Sequence, residues 1–275
     1  MAGTVDNSVA RPRWRDDVEM AQEPKDESGK PYHIRLSKSE VGRVALLPGD
    51  PGRVPLIAGK LEGGKPLSSN REYVAYSGRA GGEKVVVVST GIGGPSAAIA
   101  VEELARLGVE VMIRVGTCGS IQRSVGVGTL VIADAAVRMD GTTAQYAPPG
   151  YPAAATPGVA LALADAAASL RKKASVGIAA STDSFYAGQG RRSFGGYIPR
   201  DKAHIVEDLG AAKVLCFEME ASTLFTLGRL FGVKTGAVFA VVANRVTDEF
   251  RVHAGVDDAV DVAVEAVRNL KRYSV

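Results

Sequence analysis

The stretch VVVVSTGIGGPSAAIAVEELARLGVEVMIRVGTCGS (residues 85–120) decides the fold class. Four consecutive valines suit a strand buried on both faces. A glycine-rich turn follows, and Pro95 opens a segment with apolar residues at helical spacing that runs to Gly108. VMIRVG then restores the strand pattern and ends in a second glycine loop. Strand, loop, helix and strand in succession are the parts of an α/β fold.

The same alternation extends on both sides. VALLP near 44, TLVIAD near 129 and TGAVFAVVAN near 235 read as further buried strands. Residues 157–171, 219–232 and 256–272 have helical apolar spacing, with Pro157 near a start and Gly232 near an end. The expectation is an α/β fold around a central, mostly parallel or mixed sheet. In such folds the loops leaving the carboxyl ends of strands carry the ligand site. LPGDPGR, STGIGGPS, RVGTCGS and VVANRVTDE occupy those places.

Composition narrows the function classes. The 275 residues are 46% hydrophobic but only 6% aromatic, so aliphatic side chains fill the core of a soluble domain. Thirty-three basic residues against 30 acidic ones leave a net charge of +3, and the short RPRWR and RKK runs make no basic block. That argues against a nucleic-acid or membrane surface. Cys118 and Cys216 lack the spacing of a zinc site or disulfide scaffold and suit a reducing cytoplasm. Residues 1–30 read as a flexible polar tail, with no apolar run for a signal peptide, and residues 31–275 as a single domain.

Four constellations carry chemistry. LPGDPGR (47–53) ends a strand and enters a helix near Val54; backbone N–H groups at a helix start, with Arg53, make an anion site. The alternative is a tight turn with a surface arginine. In IRVGTCGS (113–120) Arg114 interrupts an apolar strand, where a guanidinium is costly unless an anion or a core carboxylate meets it, and Thr117 adds a hydroxyl. Two guanidiniums beside glycine loops suit phosphate, whose oxygens they match bidentately, and Arg71 in SSNREY is a third candidate. Neither GIGGPS nor GTCGSI spaces its glycines as a dinucleotide fingerprint does.

In FEMEAS (217–222) Glu218 and Glu220 flank Met219. Residues two apart share a face of an extended segment, so both carboxylates can converge on vicinal hydroxyls such as those of ribose. The alternative makes them first-turn acids on a helix dipole. Last, STDSFYAGQGRR (181–192) offers the Phe185 ring to a flat heterocycle, the Gln189 amide as acceptor and donor, and Arg191 as a donor to a carbonyl. Uracil, with O2, N3–H and O4 in one plane, fits that pattern; an amino group in place of O4 would set donor against donor. Taken alone, the loop reads equally as a solvated turn with its aromatics in the core.

LPGDPGR, SNREY, STGIGGPSAAIAVEEL, RVGTCGSI, SFYAGQGR, FEMEAS and VVANR occur in that order from about Tyr32 to the end of the chain. In this the sequence resembles the nucleoside phosphorylase I family, and within it the members that act on uridine. The resemblance implies a three-layer α/β fold with a central twisted mixed β-sheet flanked by helices. It also implies a hexamer, a trimer of dimers, whose neighbouring subunits complete each site. The reaction implied is phosphorolysis of uridine to uracil and ribose 1-phosphate, with phosphate as co-substrate, no required cofactor, and a cytoplasmic setting.

Carried across by motif, the resemblance assigns phosphate to Gly49, Arg53, Arg114 and Thr117, with Arg71 arriving from the partner subunit. It assigns the ribose hydroxyls to Glu220, Met219 and Glu218, and the 5′-hydroxyl to the partner subunit's His33. Phe185, Gln189 and Arg191 hold uracil, with Val242 and Ala243 lining the base pocket. Arg191, Gln189, Glu220 and Arg114 are thus the catalytic expectation. An optional K⁺ at a dimer interface falls to Glu72, Ile92 and Ser96.

Two positions depart from the family pattern: Gly190 stands where bacterial members carry an acid, and Asn70 replaces a histidine. Purine-specific relatives place an aspartate after the late strand, whereas this chain has Asn244 and Arg245, which favours a pyrimidine. The competing readings are a purine or methylthioadenosine phosphorylase or a hydrolase of the same family, and a non-catalytic nucleoside sensor. The phosphate arginines weigh against the hydrolase and the sensor.

Overall fold

The computed structural model describes residues 23–275, so the tail expected over 1–30 lies, as far as residue 22, outside the described residues. Residues 24–31 close a turn around Asp26, whose Oδ1 accepts from the Ser28 and Lys30 amides at 2.9 and 3.0 Å.

The chain begins with β1 (Val44–Pro48), α1 (Arg53–Ala58), a hairpin of β2 (Glu62–Asn70) and β3 (Tyr73–Ala80), and then β4 (Glu83–Val88). The βαβ unit read in the sequence follows as β4, α2 (Gly94–Arg106) and β5 (Val111–Ser120). Next come β6 (Leu130–Met139), β7 (Ala153–Ala154), α3 (Pro157–Ser169), β8 (Ala174–Thr182), α4 (Ile205–Ala211) and β9 (Cys216–Glu218). The chain finishes with α5 (Ala221–Phe231), β10 (Lys234–Asn244), β11 (Glu249–Phe250) and α6 (Val256–Asn269). All strands belong to one 11-stranded mixed sheet.

Alternation along the strands builds two cores, one on each face. Ala45, Val86, Met112, Val131 and Phe239 pack with α2 and α5, whereas Val44, Val85, Ile113, Ile132 and Val238 pack with α1, α3 and α6. Both faces are therefore covered, as the all-apolar runs require, and the fold has three layers. Each fully buried valine or isoleucine contributes about 1.5–3 kcal/mol relative to exposure.

The sheet closes on itself at one side. β10 pairs in parallel with β5 and antiparallel with β6; β6 and β8 pair in parallel, as do β8 and β9; β9 then returns antiparallel to β5. This ring of β5, β10, β6, β8 and β9 positions the site, because β9 doubles back along β5, with Cys216 opposite Ser120 and Phe217 opposite Gly119. The residues after β9 are thereby returned toward Arg114 in the middle of β5.

Strands β2, β3, β7, β8 and β11 are additions to the strands legible in the sequence. β2 is an edge strand with most residues exposed and Pro66 within it, so it lacks apolar patterning. β9 is three residues long and held by its neighbours on both sides.

Candidate active site

The loops leaving β1, β4 and β10, the end of β5, the β9–α5 junction and the segment after β8 open into one cavity of about 960 Å³. Gly49, Gly91 and Arg245 mark the loops after β1, β4 and β10 on its wall, whereas Thr117 lies within β5 itself, so the stretch expected as a glycine loop after VMIRVG is strand.

Arg114 lies at the centre of the polar wall and is 6% exposed. Its Nη2 donates to Glu220 Oε2 at 2.6 Å and its Nη1 to Thr90 Oγ1 at 3.0 Å, while Nε has no partner. The carboxylate that offsets this buried cation thus comes from FEMEAS, so the two readings of Arg114, ligand contact and internal ion pair, meet in one place. Gly49 permits the approach of the β1 loop: a Cβ there would stand 3.1 Å from Arg114 Nη2 and 3.2 Å from the Gly91 carbonyl oxygen. Arg53, at the start of α1, donates to the Val115 carbonyl at 3.3 Å and is close enough to feel Arg114; burial first, offset in part by Asp50, lowers its pKa. Two neighbouring guanidiniums beside open backbone form a strongly anion-selective corner.

Glu220 is held from its other side by the Gly93 amide, which donates to Oε1 at 2.7 Å. Glu218 serves differently. Its Oε2 accepts from the Glu220 and Ala221 amides at 2.9 and 2.8 Å, and its Oε1 is hydrogen-bonded to Ser181 Oγ. That is the helix-start role of the alternative reading: Glu218 secures the first amides of α5 from the cavity wall it shares with Met219 and Glu220. Burial, and then the Glu220 charge, push its pKa up to about 7.

The segment after β8 brings Phe185, Gln189 and Arg191 to the same cavity. Gln189 is 3% exposed; its Nε2 donates to Thr182 Oγ1 at 3.2 Å and its Oε1 accepts from Arg191 Nη1 at 2.6 Å. The Arg191 guanidinium lies 4.1 Å from the Phe185 ring centroid, so one face of the ring read as a platform for a heterocycle carries the arginine instead. Burial, and then the nearby Arg245 charge, lower the Arg191 pKa to about 10, which leaves it cationic at neutral pH. Gly190 has φ +69°, and a Cβ there would meet Ile205 Cγ2 at 2.9 Å, so a side chain at 190 would strain this loop and require Ile205 to shift.

Val242 and Ala243 line the cavity, and so do Glu72 and Ile92, two of the residues named for the optional K⁺. Ser96 lies behind the wall, its Oγ standing 3.0 Å from both Glu72 Oε1 and Tyr73 Oη. His33 and Arg71 stay outside their own chain's cavity. His33 Nδ1 is 2.8 Å from Glu103 Oε1, and Arg71 is exposed, its guanidinium 5.8 Å from the Tyr32 ring centroid. Asn70 Nδ2 donates to the His33 carbonyl at 2.9 Å and ties the two together.

Thr90 and Arg245 were not read as site residues in the sequence. Arg245 lines the cavity and donates to the Gln189 carbonyl at 2.9 Å. Its signal was present in VVANR, a motif otherwise read only for the absence of an aspartate. Among the described residues no cluster of three or more His, Cys, Asp or Glu side chains is arranged to hold a metal ion.

A ring-closed α/β sheet with paired arginines, a buried glutamate and a Gln/Arg loop on one cavity defines the class: the chain belongs to the phosphorylase superfamily, whose family model matches residues 43–274. Among its relatives, a uridine phosphorylase of Thermococcus kodakarensis is 49% identical over 253 residues, 92% of this chain and 91% of that protein. A uridine phosphorylase of Salmonella typhimurium is 38% identical over 246 residues, 87% and 97% of the two chains. A guanosine phosphorylase of Halorubrum lacusprofundi is 35% identical over 243 residues, 88% and 94% of the two chains. No helix among the described residues is long and apolar enough to cross a membrane.

Proposed function

We propose that this protein catalyses the reversible phosphorolysis of uridine to uracil and ribose 1-phosphate. The observation that carries the reading is one cavity in which Arg53 and Arg114 stand beside Glu220, with Gln189 and Arg191 on the same wall. Phosphate at the arginines attacks C1′ from the face opposite the base, and its charge stabilises the oxocarbenium-like sugar. The departing uracil gathers negative charge, which Arg191 and Gln189, already fixed to each other at 2.6 Å, meet as preorganised donors. Glu220 and Met219 hold the ribose hydroxyls. Aligning phosphate, C1′ and base can supply roughly 7–11 kcal/mol of the barrier reduction.

The relative acting on guanosine keeps a purine reading in view, and Asn244 weighs against it. Its Nδ2 donates to the Gln122 and Val125 carbonyls at 3.0 and 3.1 Å, and its Oδ1 accepts from the Val246 and Thr247 amides. A side chain so fully occupied has no proton to give a purine ring. For the oligomer, His33 and Arg71 face away from their own site and suit one on a second subunit, in line with a hexamer built as a trimer of dimers. Glu72 and Ser96, with Ile92 beside them, supply oxygen donors suited to a K⁺ that would neutralise facing carboxylates at such an interface.

The test is uracil release from uridine with and without phosphate, beside inosine, cytidine and thymidine. Phosphate-dependent release from uridine with little from inosine is expected. Preferential release from inosine would overturn the assignment of the base.

A further inference from the structure

The phosphate corner depends on a residue that has no place in the roles above. Thr90, in the loop after β4, is 1% exposed, and its Oγ1 accepts from Arg114 Nη1 at 3.0 Å. The hydroxyl hydrogen has two carbonyl acceptors, Gly91 at 3.1 Å and Pro48 at 3.4 Å, so the lone pairs remain for the guanidinium. Its backbone is fixed as well: the Thr90 amide donates to the Pro48 carbonyl at 2.9 Å, and the Thr90 carbonyl accepts from Ser96 Oγ. Thr90 therefore joins the β1 loop, α2 and Arg114.

We propose that Thr90 is a positioning residue for phosphate binding. Arg114 is anchored through one terminal nitrogen to Glu220 and through the other to Thr90. The carboxylate alone leaves the guanidinium free to turn about its single strong contact, because one hydrogen bond fixes a direction and two fix a plane. The second, neutral anchor sets that plane while leaving the arginine its full charge for the incoming anion. A second carboxylate in this position would satisfy the arginine electrostatically and compete with phosphate; a hydroxyl does not. The Nε that lacks any protein partner is one of the donors this arrangement leaves uncommitted.

This inference rests on the reading of the cavity as a phosphate site, and the experiment separates the two. Inorganic phosphate is titrated calorimetrically into the full-length wild-type protein, Thr90→Val and Thr90→Ser, and KM is measured separately for phosphate and uridine. Valine keeps the shape and removes the hydroxyl; serine keeps the hydroxyl. The expected result is a rise in the phosphate dissociation constant of about tenfold or more for Thr90→Val, the size of losing a hydrogen bond to a charged group. The KM for uridine should move less than threefold, and Thr90→Ser should stay within about threefold of wild type throughout.

Equal changes in both KM values, equal impairment of Thr90→Ser, or an unchanged phosphate affinity in Thr90→Val would overturn the positioning role. A thermal melt confirms that each variant is folded; if Thr90→Val does not fold, Thr90→Ser and Thr90→Ala decide by the same split. Failure of the wild-type protein to bind phosphate at all would instead overturn the phosphate-site reading, and this role with it.

Discussion

Arg114 and Glu220 form a buried ion pair across 106 residues of sequence: Nη2 lies 2.6 Å from Oε2, and their side chains are 7% and 5% exposed. The pair joins the anion corner to the proposed ribose contact, so neither side chain can be changed without affecting the other. Removing one member of such a pair leaves a buried charge without its counter-ion, which costs about 3–5 kcal/mol. Arg114→Met is therefore expected to lower unfolding free energy by about that amount in urea titrations. The double variant Arg114→Met/Glu220→Gln should recover part of the loss, whereas additive losses would show that the pair is not coupled.

Arg191 is held by Gln189 and by the Phe185 carbonyl and remains charged at neutral pH. If it stabilises charge on the leaving base, Arg191→Ala should lower kcat and kcat/KM for uridine together, on the order of 10²–10³-fold. A rise in KM at unchanged kcat would assign it to ground-state binding only.

Glu218 gives a pH-dependent prediction. Its pKa is raised from 4.5 in the unfolded chain to about 7, by burial first and the Glu220 charge second. The protonated form is the one the fold favours. Its contribution is complete below the unfolded value and is lost as pH rises through about 7. Glu218→Gln mimics the neutral acid: its oxygen still accepts the α5 amides and its NH₂ can donate to Ser181. The variant should gain stability relative to wild type at pH 8, and the gain should shrink toward pH 5, as read from urea midpoints at the two pH values. A difference independent of pH would contradict the raised pKa.

The placement of His33 and Arg71 outside their own cavity predicts complementation between subunits. His33→Ala and Arg191→Ala proteins, each weakly active alone, should regain activity when unfolded together and refolded as mixed oligomers, because some sites then receive both intact residues. No gain on mixing would confine His33 to its local pairing with Glu103.

Much of this was legible in the chain before folding. The valine run at 85–88 and the helical spacing of 95–108 gave β4 and α2 within two residues, because burial on both faces demands an unbroken apolar run and burial on one face a 3.6-residue repeat. The hairpin edge β2 was not legible, because it is a mostly exposed strand without apolar alternation; for β9 the extended character of FEMEAS was legible, but not the pairing with β5 and β8 that holds it.

For the site, the sequence by itself determined the chemical inventory: arginines at glycine loops, two glutamates around Met219, and an amide and guanidinium after β8. It did so because residue type, local spacing and glycine freedom are properties of short segments. Only the tertiary structure decided which of them meet. It spent Glu218 on the start of α5 and Glu220 on Arg114, brought in Thr90 and Arg245, and kept His33 and Arg71 outside the cavity. Those outcomes depend on the return of β9 along β5 and on the register of that pairing. No local pattern encodes them, since they are set by how two apolar faces of one sheet are covered at once.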